Sequence, residues 1–284
     1  MNERAERHPW NAGFSWPEHH GPFRTVTSEQ ARSYDTDGYF VVEDAFDGDV
    51  VAEVVDALAP LDREVVEFLR TRPDGRFSIA GVDTVSITLH PALRSPVLHD
   101  FCAAPLFADL CLDLIGPDAR LYWDQAVYKQ PRGAEPVLWH QDNGYTYVEP
   151  QAYLTCWVAL TDATLDNGCV WVVPGVHRTG TLAHRDTPIG FECFPDDVAR
   201  AAGAVAVPVR AGSVVVFSSL TPHATGHNVT DDVRKAYILQ YAPDGAVARR
   251  GDPSGPPGPP ELQDDPDRQF LVARKGAAVG PTVG

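Results

Sequence analysis

Gly212-Ser213-Val214-Val215-Val216-Phe217-Ser218-Ser219, with His223 four residues beyond, is the stretch whose reading decides the fold. Three β-branched valines and a phenylalanine, closed off by Gly and Ser, are too short for an ordinary helix and read as a buried strand. Such a strand carries its chain to the mouth of a barrel, where His223 would be delivered. Working outward, similar β-type runs recur at 121–128, 152–160, 169–173, 204–208 and 235–241, punctuated by Gly, Pro, Asn and Asp. Many short strands with that punctuation suggest a sandwich or jelly roll.

Towards the N-terminus the texture is helical. Thr27-Ser28-Glu29-Gln30 has the capping-box spacing and predicts a helix start, followed by a strand at 38–42. Val50, Val51, Val54, Val55 and Leu58 recur at helical spacing within 47–70, where Pro60 is expected to break or kink the helix. Leu98, Phe101, Leu106, Leu110 and Leu114 predict one further helix over 96–115, stopped by Gly116-Pro117. With no internal repeat, the chain reads as a single domain. It comprises an irregular arm (1–26), a mostly helical flank (27–119), a jelly-roll core carrying the candidate site (120–245) and a Pro/Gly loop with C-terminal segment (246–284). The strand-like texture of 269–274 suggests that the C-terminus docks back.

Composition narrows the function classes. The 284 residues carry 39 acidic and 23 basic side chains, a net charge of −16 that disfavours nucleic acid and anionic membranes as partners. The five cysteines form no CxxC pair and read as buried free thiols. Residues 1–16 hold no apolar leader and the chain does not end in the peroxisomal tripeptide, so a cytoplasmic protein is expected.

Trp139-His140-Gln141-Asp142 carries the first chemistry. In an extended chain residues i and i+2 share a face, so His140 and Asp142 would point together and supply two-thirds of a facial triad. A His-x-Asp pair alone is more often a hydrogen-bonded surface pair. The third ligand must be a distant histidine, with His177, His184, His223 and His227 as candidates. Arg234 lies eleven residues after His223; on spacing alone it reads as a surface ion pair with Asp231 or Asp232, and otherwise as a bidentate site for a dicarboxylate. His177 and Arg178 follow a Pro-Gly turn near the expected mouth, where Arg178 is either a contact for an anionic substrate or a structural cation. His227 reads as a bystander, and His19 and His20 carry no functional role.

Three blocks then bear a family resemblance: 139–142, the run 166–177 with Asp166-Asn167-Gly168 and Pro174-Gly175-Val176-His177, and 223–234. Over 121–241 the chain resembles the phytanoyl-CoA dioxygenase family of Fe(II)/2-oxoglutarate oxygenases. That family has a hydroxyl residue two after its distal histidine and an arginine eleven after it, matched by Thr225 and Arg234; Val176 stands where it usually has serine. The resemblance implies an α+β, mainly β fold with a double-stranded β-helix (jelly-roll, cupin-like) core and flanking N-terminal helices. It implies His140, Asp142 and His223 as iron ligands, and Thr225 and Arg234 as holders of the far carboxylate of 2-oxoglutarate. Gln125 and Trp157 match further co-substrate contacts, although Trp157 reads equally well as a core aromatic.

The implied cofactors are Fe(II), 2-oxoglutarate and O2, with ascorbate in a supporting role. The implied reaction oxidises an unactivated C–H bond of a small organic molecule, possible secondary metabolites included, and releases succinate and CO2. Asp142 favours hydroxylation, or desaturation and epoxidation by the same oxidant, over halogenation, since related halogenases have a small residue in place of that carboxylate. A zinc or manganese hydrolase using the same triad and a non-catalytic jelly-roll binding protein are the competing readings. The hydrolase needs no carboxylate-binding arginine, and an intact set of His140, Asp142, His223 and Arg234 disfavours the binding protein. The primary substrate and the oligomeric state are not written in the sequence.

Overall fold

The computed structural model describes residues 5–133 and 135–280, so the first four residues of the arm and the 281–284 tail lie outside it. Helix α1 (Ser28–Asp37) starts where the capping box predicts: Thr27 Oγ1 accepts from Gln30 N at 3.1 Å and Gln30 Oε1 accepts from Thr27 N at 2.9 Å. Gly38, at φ 87°, closes it and turns the chain into strand β1 (Tyr39–Val42). Helix α2 (Gly48–Arg70) is capped by the Asp47 carboxylate. Of the two expected effects, the break does not occur: α2 runs on to Arg70 through Pro60. Buried Val54 and Leu58 before it, and Leu61 and Leu69 after it, anchor both halves on the core and outweigh the missing backbone bond.

Strand β2 (Val85–Leu89) follows, a strand the sequence reading did not single out. The helix expected over 96–115 is two helices, α3 (Pro96–Cys102) and α4 (Pro105–Leu114). Pro105 is the reason: the extended Ala104 (ψ 146°) interrupts the first helix, and proline at the first helical position starts the second. The barrel strands are β3 (Ala119–Lys129), β4 (Val137–His140), β5 (Leu154–Ala159), β6 (Val170–Val172), β7 (Val205–Val207), β8 (Val214–Ser218), β9 (His223–Thr225) and β10 (Arg234–Pro243).

Antiparallel pairing joins the large sheet in the order β1-β8-β5-β10-β3-β2, continued by a small hairpin at 76–81. A second sheet runs β7-β6-β9-β4. The C-terminal strand Leu271–Arg274 docks on β3, as the texture of 269–274 suggests.

Period-two alternation sorts the large sheet into two faces. Val214 and Val216 on β8, Cys156 and Val158 on β5, and Tyr237 and Leu239 on β10 join the core beneath the helices. Their neighbours Val215, Phe217, Trp157, Ala236 and Ile238 turn the other way and meet Val170, Val172 and Val207 of the second sheet. Two sheets closed over one interior, with helices on the outside of the larger, make the mainly β jelly-roll fold. Four cysteines are buried and Cys193 is partly so, none in a disulfide. No helix among the described residues is long and apolar enough to cross a membrane.

Candidate metal centre

Sheet pairing builds the site. β4 and β9 are neighbours, and their register sets His223 opposite His140, with ring centroids 4.2 Å apart. Each imidazole turns its Nδ1 to a carbonyl two residues back, His140 to Leu138 O at 2.6 Å and His223 to Thr221 O at 3.0 Å. Donation from Nδ1–H fixes the tautomer that leaves each Nε2 lone pair free.

The strand does not run through Asp142 as expected: β4 ends at His140, Gln141 is extended, and Asp142 opens a short helical turn, Asp142–Tyr145. The carboxylate still meets the imidazoles. Its Oδ1 lies 3.9 Å from His140 Nε2 and 3.7 Å from His223 Nε2, while Oδ2 accepts from Thr155 Oγ1 on β5 at 2.6 Å. One ligand atom from each residue falls within 4.8 Å of the others, and no second such group occurs among the described residues.

Burial drives His140 down to about 3, with the His223 ring adding to it, and drives His223 down to about 4. The same burial raises Asp142, against the pull of His140 and hydrogen bonds from Thr155 and Gln240. Two neutral nitrogen donors around a poorly solvated carboxylate fit a divalent transition metal, and three ligands leave coordination positions open.

The other candidate histidines stay outside this cluster. His184 Nε2 accepts from Gln141 N at 2.9 Å, bracing the turn between the two ligands. His227 is exposed. His177 and Arg178 do not reach the mouth: His177 Nε2 lies 3.3 Å from Asp35 O, and Arg178 Nη1 donates to the same carbonyl at 2.8 Å. Together they lock the second half of α1 instead, with the His177 ring edge on Trp16.

Arg234 is no surface ion pair. It is 1% exposed, and Asp231 pairs with Arg132 at 2.7 Å. Its Nη1 makes one long bond to Val127 O at 3.4 Å, its guanidinium lies over the Trp157 ring at 5.2 Å, and Nε and Nη2 have no partner. Thr225 Oγ1 is likewise buried and unpartnered. The β10–β3 register sets Lys129 directly opposite Arg234. Lys129 is 1% exposed, donates to Glu135 O at 3.0 Å, and is pushed down to about 7 by burial and then by the Arg234 charge. A buried guanidinium with two orphaned nitrogens, set opposite a buried lysine, is costly alone and fits an anion between the two side chains. Gln125 comes to a different wall, a cavity of about 280 Å³ bordered by His140 and Asp142.

Sequence reasoning missed Lys129, Thr155 and Gln240. Alternation could have found the lysine: Val127 faces the barrel interior, so residue 129 on the same strand does too.

Comparison with known proteins agrees with this geometry. A phytanoyl-CoA dioxygenase of Arabidopsis thaliana is 30% identical over 161 residues, 56% of either chain, so the chain spans about half the length of that relative. An ectoine dioxygenase of Bordetella bronchiseptica is 25% identical over 234 residues, covering 76% of this chain and 75% of that one. Among solved structures, the non-heme alpha ketoglutarate dependent carbocyclase SnoK from nogalamycin biosynthesis superposes with a TM-score of 0.66 at 27% identity, over 89% of this chain and 100% of that one. The family model for phytanoyl-CoA dioxygenase matches residues 34–236, well over half of the chain, which therefore belongs to the phytanoyl-CoA dioxygenase family.

Proposed function

We propose that this protein is an Fe(II)- and 2-oxoglutarate-dependent dioxygenase that oxidises an unactivated C–H bond of a small organic molecule. His140, Asp142 and His223 would hold the iron. Bound there with 2-oxoglutarate and O2, iron would supply the oxidising power that no protein side chain has, with succinate and CO2 as the co-products. The chain's own residues bind and orient. Thr155 steers the Asp142 carboxylate, and the carbonyls of Leu138 and Thr221 aim the two imidazoles. Arg234 and Thr225, joined by Lys129, would take the far carboxylate of 2-oxoglutarate against the face of Trp157.

One observation carries this reading: a fully buried guanidinium with two unpartnered nitrogens shares the barrel interior with the His/Asp/His cluster. A hydrolase has no use for that cation. The test is succinate formation from 2-oxoglutarate in air with Fe(II) and ascorbate, with and without candidate substrates. Succinate above the blank, lost in Asp142→Ala, supports the reading. No succinate from iron-loaded protein with any compound would remove it and direct attention to zinc-dependent hydrolysis.

A further inference from the structure

The cavity beside the metal cluster differs in kind from the surroundings of Arg234. Its wall holds Tyr122, Trp123, Tyr145 and Tyr153, with aliphatic side chains such as Ile79 and Ile87 between them. Apart from His140 and Asp142 themselves, none of its lining residues is Asp, Glu, Lys, Arg or His. Burial pushes the Tyr122 phenol up to about 12 and raises Tyr153 as well, so these rings stay neutral. Arg234 and Lys129 do not line it.

The polar groups of the wall are neutral as well. Gln240 is engaged with Asp142. Gln125 Oε1 accepts from Trp123 Nε1 at 3.2 Å, which orients the amide and leaves its N–H donors for a carbonyl or hydroxyl oxygen. Trp123 packs against the His90 ring at 4.2 Å and carries the Arg268 guanidinium over its ring at 5.8 Å, so the indole is a fixed surface, with Arg268 itself outside the cavity lining. The roof is apolar: Ile79 reaches over from the 76–81 hairpin, which Arg76 clamps to Glu135 at 2.5 and 2.6 Å. Tyr145 sits at the rim between the His140 ring at 5.1 Å and the Phe191 ring at 5.4 Å.

A phosphate or carboxylate placed here would lose its hydration and meet no cationic side chain among the lining residues, while Asp142, the one anionic side chain of the lining, is committed to the cluster with His140 and His223. Aromatic walls instead reward a flat ring. The volume of about 280 Å³ equals about nine waters at roughly 30 Å³ each, enough for a compact ring system.

Resting on the oxygenase reading of the same site, we infer that the portion of the substrate presented to the metal is an uncharged, ring-bearing group. It is held by aromatic contact with Trp123 and by one oxygen hydrogen-bonded to Gln125. Ionic handles or carrier arms stay outside the cavity.

The test uses the protein loaded with Fe(II) and 2-oxoglutarate under anaerobic conditions. It is titrated by calorimetry with 2-naphthol, 2-naphthoate and 2-naphthylmethylammonium, three probes that share one ring system. Naphthol is expected to bind at least tenfold tighter than either ion, to weaken at least tenfold in Trp123→Ala, and to recover in Trp123→Phe. An ion binding as tightly as naphthol overturns the inference, as does failure of all three to bind or indifference to Trp123→Ala. No turnover is needed, so a negative succinate assay with intact naphthol preference would strike the reaction and spare the substrate class.

Discussion

Arg234 and Lys129 show how a single pair of residues sets the demand for a ligand. Charge-assisted hydrogen bonds contribute about 1.5–3 kcal/mol each. Arg234→Ala is therefore expected to raise the 2-oxoglutarate concentration for half-maximal succinate formation by roughly a hundredfold, with iron affinity unchanged. A parallel loss of iron affinity would mean the arginine supports the metal cluster instead. His223→Ala should abolish iron-dependent turnover while His227→Ala, at an exposed position, leaves it largely intact; the opposite pattern would reassign the third ligand. Lys129 adds a pH signature. Its ammonium is held down to about 7, and the protonated form is the one that attracts the dicarboxylate. As pH rises through 7 the free enzyme loses that proton, so the half-saturating 2-oxoglutarate concentration should climb from pH 7 to 9. In Lys129→Met it should stay flat over the same range, and an unchanged wild-type profile would exclude the lysine from the anion site.

At the scale of the element, the joints between strands carry more than the strands do. Gly38 joins α1 to β1 at φ 87°, and a Cβ there would lie 2.5 Å from Thr221 Oγ1 and 2.6 Å from His177 Nδ1. Neither neighbour is free to move: Thr221 Oγ1 donates to Gly38 O at 2.8 Å, and His177 is buried beneath Trp16. Gly38→Ala combines left-handed strain with overpacking and should cost about 2–4 kcal/mol, read as a lower denaturant midpoint at unchanged slope. Gln141 is a second joint. Its Nε2 donates to Gly180 O at 3.2 Å and Leu220 O at 2.5 Å, and its Oε1 accepts from Leu182 N at 2.6 Å. One amide thus ties the turn between His140 and Asp142 to the segment that leads into His223. The capping box of α1 was legible in four letters because both of its bonds are local. The survival of α2 through Pro60 depended on which side chains found a core to bury in, and short-range pattern does not carry that, whereas the split at Pro105 is local, set by the proline and the extended residue before it.

Over the whole molecule, burial makes the metal-free protein sensitive to acid. His177 and His184 are held near 4 and His140 near 3 by desolvation, against an ordinary value of 6.5. These are depressed folded values, so the unfolded chain binds protons first as pH falls. The stability present above pH 6.5 is lost as pH drops towards 4. Chelator-treated protein should show a melting temperature that falls between pH 7 and 5, with a shallower fall in His177→Gln. A flat profile would mean these imidazoles are solvated in solution. Fe(II) at pH 7 should raise the midpoint, because it binds only the assembled cluster.

What the sequence by itself determined is what local pattern can encode: short apolar runs bounded by turn residues, the capped start of α1, and the His-x-Asp spacing. The family resemblance added a distal histidine with its +2 and +11 partners. Tertiary structure set that histidine opposite His140, because strand register is a contact between segments more than eighty residues apart. It alone took Arg234 out of reach of Asp231 and paired it with Lys129, and it alone moved His177 and Arg178 from the expected mouth to the underside of α1. A lysine or arginine in a strand has the same letters whether it faces water or the barrel. Only closure of the sheets fixes which face is inside, and with it which charges are left without a partner.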